Sequence, residues 1–270
     1  MKNYRLKSGF EMPALGLGTW RLSGEQCRKV ILEALDIGYR HIDTAAAYGN
    51  EDAIGKALRS SDLKRTEIFL TSKVWFDNLE SKQVTESCTE SLKQLQTDYL
   101  DLFLIHWPNS RIPLRETFRG LEHLAEKKLI RSFGVSNFSK DLLNEAMQST
   151  SLPLCVNQVE FHPFLNQADL LAFCKEHQMT LTAYSPVARG HVVQEPVLNK
   201  IAEKHNCTPV QVSLAWLLQK DIAAIPKASS RKHLKENFEA ANVTLDDEDM
   251  KSIEDLNRNQ RLVNPSWARF

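Results

Sequence analysis

Residues 68–106 read IFLTSKVWFDNLESKQVTESCTESLKQLQTDYLDLFLIH, and two apolar runs flank a longer amphipathic stretch. The runs predict strands at Ile68–Val74 and Leu100–His106, and the continuously apolar LFLI at 102–105 is typical of a strand buried on both faces of a parallel sheet. Residues 80–96, between them, carry apolar side chains at helical spacing. The stretch therefore predicts a strand–helix–strand unit with parallel strands.

The same alternation extends along the whole chain. Six further strands are predicted, at Ala14–Gly18, Arg40–Asp43, Arg131–Val135, Cys155–Val159, Thr180–Tyr184 and Ile222–Ile225. Helical patterns lie between the strands, at 25–37, 51–60, 115–129, 139–147, 167–177, 208–219 and 231–241. Eight strands alternating with eight helices over about 250 residues predict a (β/α)8 TIM barrel, an α/β fold.

The segments at the two ends of the chain lie outside this repeat. Residues 4–12 alternate in polarity around a Ser-Gly pair and predict an N-terminal β-hairpin that closes the barrel floor. The acidic run Asp246–Asp249 predicts the start of a C-terminal helix rather than a metal site, because acidic side chains stabilise the positive end of a helix. We expect the tail from Arg261 to Trp267 to fold over the barrel mouth. No linker divides the chain, so we predict one domain over residues 1–270.

The doubly wound sheet is the alternative fold, and it binds dinucleotides through a G-x-G-x-x-G turn after its first strand. Here the first strand runs into Gly16-Leu17-Gly18-Thr19-Trp20, which lacks the third glycine. The bulky Trp20 stands where a pyrophosphate would need close approach to the backbone. The sequence therefore favours the barrel.

Composition and charge argue against several classes of protein. The chain has 34 Lys and Arg against 34 Asp and Glu, so it has no overall field to attract nucleic acid or an anionic membrane. No apolar run approaches the roughly 18 residues of a membrane span. The five cysteines are scattered and form no CxxC, so we expect reduced thiols in a cytoplasmic protein. The first residues show no apolar h-region, and we expect no signal peptide.

Chemically active side chains stand at the carboxyl ends of neighbouring predicted strands. Asp43, Lys73 and His106 end the second, third and fourth strands, and Tyr48 follows in the loop after the second. In a (β/α)8 barrel these strand ends form the active-site face. Since parallel neighbours lie about 4.8 Å apart, we expect Lys73 to lie between Asp43 and His106.

These residue types suit a proton transfer. A phenol is a poor acid at neutral pH, but a nearby ammonium group stabilises the phenolate and lowers the phenol pKa. Tyr48 beside Lys73 could then protonate a developing alkoxide, while His106 donates a hydrogen bond to the same oxygen. Taken singly, Asp43 is also explained as a cap and Lys73 as a structural ion pair. Their coincidence on consecutive strand ends favours an active site.

A reduction also needs a hydride, and no side chain supplies one. The sequence has neither a metal-ligand cluster nor a G-x-S-x-G nucleophile motif, so we predict no metal and a cofactor that carries the hydride. We expect this cofactor where residues at the ends of later strands converge, namely Ser136, Asn137, Gln158 and Tyr184. Aromatic side chains at strand ends predict the walls of a substrate pocket around His106: Trp20, Trp75 and Trp107.

Longer motifs carry a resemblance to a known family. Gly38–Ala45 reads GYRHIDTA and is followed by Tyr48, Glu51 and Gly55. Further motifs are FGVSNF at Phe133–Phe138, IPK at Ile225–Lys227 with Glu236-Asn237 after it, DYLD at Asp98–Asp101 and YSP at Tyr184–Pro186. Together these motifs resemble the three signatures of the aldo-keto reductases, and the resemblance covers essentially the whole chain.

The resemblance implies a role for each matching residue. Tyr48 would be the proton donor, with Lys73 and Asp43 tuning it and His106 orienting the carbonyl. The cofactor would be NADPH, held by Thr19, Asp43, Ser136, Asn137, Gln158, Tyr184, Ser185, Lys227, Ser229, His233, Glu236 and Asn237. In this set, Ser136, Asn137 and Gln158 would bind the carboxamide of the nicotinamide. Tyr184 would stack on the nicotinamide ring, and Lys227 and Ser229 would face the 2′-phosphate.

Two departures from the family pattern bear on the cofactor. Ala228 follows Lys227 where the family has Ser or Thr, and His233 stands where the family has Arg. A His offers fewer hydrogen-bond donors to a phosphate than an Arg does. Arg231 and Lys232 are close enough in sequence to substitute. We therefore expect NADPH to be preferred over NADH, but less strongly than in members with the Arg.

The loops after His106 and after Tyr184 look short, which predicts a shallow, open mouth. This resembles the compact bacterial branch of the family, which acts on methylglyoxal, simple aldehydes and keto-sugar acids such as 2,5-diketogluconate. We expect a small carbonyl compound as the only partner of a monomeric enzyme. Three alternatives stay open: a reductase of sugar aldehydes that uses both NADPH and NADH, an aldolase-type barrel with a Schiff base on Lys73, and a nucleotide-sensing regulatory protein.

Overall fold

The computed structural model describes residues 2–266. Its strands are β1 (Asn3–Arg5), β2 (Glu11–Pro13), β3 (Leu17–Gly18), β4 (His41–Asp43), β5 (Phe69–Val74), β6 (Leu100–Ile105), β7 (Ile130–Ser136), β8 (Leu154–Glu160), β9 (Thr180–Tyr184) and β10 (Ala223–Ala224). Its α-helices are α1 (Gly24–Ile37), α2 (Glu51–Ser60), α3 (Ser81–Leu95), α4 (Leu114–Glu126), α5 (Lys140–Gln148), α6 (Ala168–Glu176), α7 (Pro196–Lys204), α8 (Pro209–Gln219), α9 (Arg231–Glu239) and α10 (Asp247–Glu254). Short 3-10 helices lie at Ala46–Tyr48, Arg65–Glu67, Ala188–Gln194 and Ala240–Asn242.

Strands β3 to β10 form one parallel sheet in which each strand pairs with its neighbour in the chain. Its two edges meet, because the N–H of Gly16 donates to the Ala224 carbonyl at 2.9 Å and the N–H of Ala224 donates to the Ala14 carbonyl at 2.8 Å. A Cβ on Gly18 would lie 2.6 Å from the Ile225 carbonyl oxygen, so this seam requires glycine there. The predicted (β/α)8 barrel is confirmed.

The predicted N-terminal hairpin is also present. Strands β1 and β2 pair antiparallel, with Tyr4 opposite Met12. Leu6 and Met12 are buried in a cluster with Phe69, the first residue of β5, and with other side chains of the barrel strands. The hairpin thus covers the amino ends of the barrel strands, opposite the face that carries the predicted site.

Two predicted helix starts are confirmed by their caps. The Thr208 hydroxyl accepts the N–H of Gln211 at 3.2 Å, and the Gln211 side chain accepts the N–H of Thr208 at 3.0 Å, which completes a capping box at α8. The Asp246 carboxylate accepts the N–H of Asp249 at 2.9 Å at the start of α10. The acidic run therefore begins a helix.

The connection after β9 differs from the prediction. We expected a short loop, but it contains the 3-10 helix Ala188–Gln194 and then α7. Pro196 begins α7, and Leu198, Ile201 and Ala202 are buried at helical spacing, which was the signal available in the sequence. The mouth of the barrel is therefore bordered by more structure on this side than a short loop would provide.

Candidate active site

The carboxyl ends of β4 and β5 bring a carboxylate and an ammonium group together inside the barrel. Lys73 is fully buried, and its Nζ lies 2.6 Å from Asp43 Oδ1. The same Nζ donates to the Thr44 carbonyl at 2.8 Å. The second oxygen of Asp43 accepts Gln158 Nε2 at 2.7 Å. Each charge is thus paired and hydrogen-bonded, as buried charges require.

Tyr48 and His106 face this pair from the neighbouring loops. Tyr48 ends the 3-10 helix after β4, and Lys73 Nζ lies 5.0 Å from the centroid of its ring. The ring centroids of Tyr48 and His106 are 5.5 Å apart, and the two rings pack edge to face. The Trp75 ring lies 5.2 Å from the His106 ring. The structure therefore brings Asp43, Tyr48, Lys73 and His106 together, as the strand ends predicted.

The electrostatics of the phenol differ from the simple expectation. Burial raises the pKa of Tyr48 above its usual value, and the Lys73 ammonium, which lowers it, only partly offsets this effect. Lys73 therefore lowers the Tyr48 pKa as predicted, but burial outweighs it and the pKa of Tyr48 is raised overall. Burial favours the neutral amine of Lys73, but Asp43 and Tyr48 outweigh burial and raise the Lys73 pKa. Lys73 therefore stays protonated.

Burial also decides the state of the imidazole. It lowers the pKa of His106 well below its usual value, and Lys73 lowers this pKa further. His106 is therefore neutral at ordinary pH. A neutral imidazole carries one N–H, so His106 can donate a hydrogen bond without carrying a positive charge.

Two buried residues fix the loop that carries Tyr48, and sequence reasoning assigned no role to either. The Asn50 side chain donates to the Thr19 and Leu22 carbonyls, both at 2.9 Å, and accepts the Thr44 hydroxyl at 2.7 Å. The Glu51 carboxyl accepts the hydroxyl of Ser72, the neighbour of Lys73, at 2.6 Å. The two residues follow Tyr48 after one intervening glycine, and their burial beside a strand end was not visible in the sequence.

The residues predicted to hold the nicotinamide also converge. The Ser136 hydroxyl donates to the Gln158 carbonyl at 2.7 Å, and the Tyr184 hydroxyl donates to Asn137 Oδ1 at 2.8 Å. Asn137 Nδ2 donates to the His106 carbonyl at 3.0 Å, which ties this group to the catalytic candidates. Asn137 has φ +65°, a left-handed conformation that Asn tolerates better than most residues.

The other predicted cofactor contacts lie along one side of the mouth. The Thr19 hydroxyl donates to the Asp43 carbonyl at 3.0 Å, and Ser185 follows Tyr184 at the end of β9. Lys227, Ser229 and His233 are exposed between β10 and the first turn of α9. Further along α9, Glu236 accepts the Thr208 hydroxyl at 2.7 Å and Asn237 is buried.

The three tryptophans predicted to line the substrate pocket differ in burial and in contacts. Trp75 contacts His106, whereas Trp107 is buried and only 6% exposed. Trp20 is 43% exposed, and the guanidinium groups of Arg21 and Arg189 lie 4.2 and 5.6 Å from its ring. Since Arg189 belongs to the connection after β9, Trp20 joins the loops that follow the first and seventh barrel strands.

No group of three or more His, Cys, Asp or Glu side chains in residues 2–266 could hold a metal ion. Among the same residues, no helix combines the length and the apolar character needed to cross a membrane.

Comparisons with known proteins agree with this geometry. A sequence profile described as the Aldo/keto reductase family matches residues 14–258. The chain is 39% identical to methylglyoxal reductase DkgB of Escherichia coli O157:H7, over 94% of this chain and 96% of that protein.

Solved structures agree as well. A putative 2,5-diketo-D-gluconic acid reductase B matches with a TM-score of 0.94 and 37% identity, over 98% of this chain and 95% of that one. An aldo-keto reductase solved in complex with NADPH matches with a TM-score of 0.93 and 32% identity, over 98% of this chain and 90% of that one. The profile covers most of the chain and the relatives exceed 30% identity over nearly all of it, so this protein belongs to the aldo/keto reductase family.

Proposed function

We propose that the protein reduces small aldehydes and ketones to alcohols with NADPH and that Tyr48 donates the proton. One observation carries the proposal: a fully buried Lys73 ammonium lies between the Asp43 carboxylate and the Tyr48 ring at the mouth of the barrel. Burying two charges costs free energy of desolvation, so a buried ion pair is only weak evidence that the pair serves to stabilise the fold. Its position beside a phenol and an imidazole suits chemistry instead.

The donor set at the strand ends fits a nicotinamide. A carboxamide offers one acceptor oxygen and two donor hydrogens. The side chains of Ser136, Asn137 and Gln158 supply both kinds of partner. Those of Ser136 and Asn137 lie in one hydrogen-bonded group with the Tyr184 phenol and the Gln158 backbone carbonyl. The ring of Tyr184 adds an aromatic surface for stacking. These residues would therefore hold the nicotinamide end of the cofactor.

NADPH, when bound by these residues, would supply the hydride that a carbonyl reduction needs. Tyr48 gives its proton to the alkoxide oxygen that develops from the carbonyl, and the Lys73 ammonium stabilises the phenolate that remains. Asp43 keeps Lys73 charged and in place. Neutral His106 donates a hydrogen bond to the same oxygen and orients the carbonyl.

Recognition of the 2′-phosphate falls to Lys227, Ser229 and the first turn of α9. His233 stands in this turn, where its ring offers fewer donors than an Arg would. Arg231, which could have substituted, has its Nη2 2.5 Å from Asp36 Oδ2 on α1. We propose that NADPH is preferred over NADH through Lys227, with a smaller margin than a well-placed Arg would give.

The proposed substrates are small and polar. The similar proteins include a methylglyoxal reductase and a putative diketogluconate reductase, which supports methylglyoxal and keto-sugar acids as candidates. Trp75 and Trp20 would form the apolar walls above Tyr48. We propose that the enzyme acts as a cytoplasmic monomer.

The aldolase alternative is disfavoured by the state of Lys73. A Schiff base forms from a free amine, whereas Asp43 and Tyr48 raise the Lys73 pKa and keep the amine protonated. A regulatory protein that only senses nucleotide would bind NADPH without oxidising it.

A panel of carbonyl compounds tests the proposal, with NADPH and NADH assayed in parallel. We expect oxidation of NADPH with methylglyoxal, slower oxidation of NADH, and poor turnover of a steroid ketone. NADPH binding without oxidation across the panel would contradict the proposal and favour a sensor. A steroid ketone that outranks methylglyoxal in kcat/KM would contradict the size of the proposed pocket.

A further inference from the structure

The chain after α10 follows the loop that leaves β8. The backbone N–H groups of Arg258 and Gln260 both donate to the Phe164 carbonyl, at 3.3 and 2.9 Å. The N–H of Asn166 donates to the Asn257 side chain at 3.0 Å. We call residues 257–263 the tail segment. These bonds lead the tail segment back to the carboxyl end of β8.

The tail segment ends on a buried carboxylate that the proposed reaction does not use. Glu160, the last residue of β8, has a completely buried side chain. Its Oε1 accepts the N–H of Leu262 at 2.7 Å, and its Oε2 accepts the N–H of Val263 at 2.9 Å. His162 Nε2 lies 3.0 Å from Oε1. Each carboxylate oxygen therefore has one backbone N–H of the tail segment as its partner.

A second link connects the same residue to the tail segment. The Glu160 carbonyl accepts Gln167 Nε2 at 2.7 Å, and Gln167 Oε1 accepts Arg261 Nη2 at 3.5 Å. Burial alone would raise the pKa of Glu160, but its bonds to His162 and to the tail outweigh burial and lower it. The carboxylate is therefore ionised, and bonds from N–H groups to an ionised acceptor are the stronger kind.

Glu160 also lies at the mouth of the barrel. It is the register partner of Tyr184 on β9. Gln158, which contacts Asp43, precedes it by two residues and therefore lies on the same face of β8. The tail segment is thus bound at the edge of the group that holds the proposed nicotinamide site.

We propose that Glu160 is a positioning residue that holds the tail segment as a fixed wall of the mouth beside Tyr184 and so limits the size of the substrate that reaches Tyr48. The limit on size rests on the proposed function, whereas the anchoring does not. Two backbone bonds to one carboxylate fix the direction of the tail segment at Leu262 and Val263. An amide in place of the carboxylate would face one of these N–H groups with its own NH2.

Hydrogen exchange in the Glu160→Gln variant tests the anchor. The amides of Leu262 and Val263 should exchange roughly tenfold faster or more, because hydrogen bonds to a charged acceptor are lost. Asp101→Asn is the matched control, since Asp101 is a buried carboxylate at the other end of the barrel that accepts the Leu70 N–H. Unchanged exchange in Glu160→Gln, or an equal increase in Asp101→Asn, would overturn the anchor.

The wild-type protein decides the matter if Glu160→Gln does not fold. We expect the Leu262 and Val263 amides to be protected relative to those of Asn264 and Ser266. Equal exchange at all four amides would overturn the anchor without any variant.

Kinetics with two aromatic aldehydes of different size test the limit on substrate size. In Glu160→Gln the ratio of kcat/KM for naphthaldehyde over benzaldehyde should rise by about tenfold. A chain truncated after Gln260 should show the same rise, with kcat for benzaldehyde largely kept. An unchanged ratio in both variants would overturn the role in specificity. If the wild type reduces neither aldehyde, the proposed function fails, and the exchange experiment still decides the anchor.

Discussion

Lys73 Nζ and Asp43 Oδ1 lie 2.6 Å apart, and neither side chain is open to solvent. The pair joins β4 to β5, and through Gln158 Nε2 it also reaches β8 across the barrel. The proposed proton donor, the proposed nicotinamide site and the buried charge pair are therefore parts of one hydrogen-bonded unit. Changes within this unit should alter catalysis and stability together.

Replacing Lys73 with Met should strongly reduce turnover and also destabilise the protein. It leaves the Asp43 carboxylate buried without its cation, which costs about 3–5 kcal/mol of stability in comparable pairs. It also removes the positive charge that stabilises the Tyr48 phenolate. Thermal unfolding and kcat measure the two effects. Lys204→Met is the control, because Lys204 pairs with Asp246 and Asp249 near the surface. A stable Lys73→Met enzyme with normal turnover would show that Lys73 is only structural.

The reduction rate should stay level from about pH 6 to pH 9 and fall only at higher pH. Tyr48 must be protonated to act as an acid, and burial raises its pKa, so the acid form is lost only as pH rises through that raised value. His106 has a strongly lowered pKa and stays neutral over the same range. The profile of kcat/KM against pH checks this, and a decline between pH 7 and 9 would contradict it.

Replacing His233 with Arg should tighten NADPH binding by roughly ten- to a hundredfold, the worth of one charged hydrogen bond, and leave NADH almost unchanged. Arg231→Ala is the comparison, because Arg231 pairs with Asp36 and should contribute little to NADPH affinity. Fluorescence titration of both cofactors gives the dissociation constants. Equal NADPH affinity of the wild type and His233→Arg would show that the 2′-phosphate is already fully bound by other groups.

Replacing Asn50 with Ala should destabilise the protein and lower kcat. It leaves the Thr44 hydroxyl and the buried Leu22 carbonyl without partners, at roughly 1–3 kcal/mol for each unsatisfied group. The Thr19 carbonyl loses one of its two bonds and keeps the Leu22 N–H. The substitution also frees the loop that carries Tyr48. Asn199→Ala is the control, because Asn199 also bonds two backbone carbonyls, but near the surface, where water replaces it. A melting temperature equal to that of the Asn199→Ala variant would contradict the role of Asn50.

The periodicity of the chain was enough to predict the barrel, and the barrel was enough to predict the catalytic candidates. Parallel strands place their carboxyl ends side by side, so Asp43, Lys73 and His106 had to meet once their strands were known. Helix α7 departs from this repeat, because it shares the connection between β9 and β10 with α8, and an alternation of one helix per strand does not predict it. The burial of the Tyr48 phenol depends on how loops close over it, which strand ends do not reveal.

Contacts between distant loops were also beyond the sequence. Glu160 stands in the otherwise uncharged strand LCVNQVE, and a charge in such a strand is seldom buried without a partner. The sequence could therefore indicate that Glu160 has a partner, but not that the partner is the backbone at Leu262 and Val263. The structure addresses only part of the prediction that the tail folds over the mouth. Leu262 and Val263 are bound to Glu160 beside Tyr184. Trp267 lies outside the described residues.

The activity and cofactor affinity of Tyr48→Phe test the central claim most directly. The substitution removes one hydroxyl and leaves the contacts of Ser136, Asn137 and Gln158 in place. We expect kcat for methylglyoxal to fall by about 100- to 10,000-fold, the contribution of a general acid, with NADPH affinity unchanged. If Tyr48→Phe keeps more than half of the wild-type turnover while binding NADPH normally, Tyr48 is not the proton donor and the proposed mechanism is wrong.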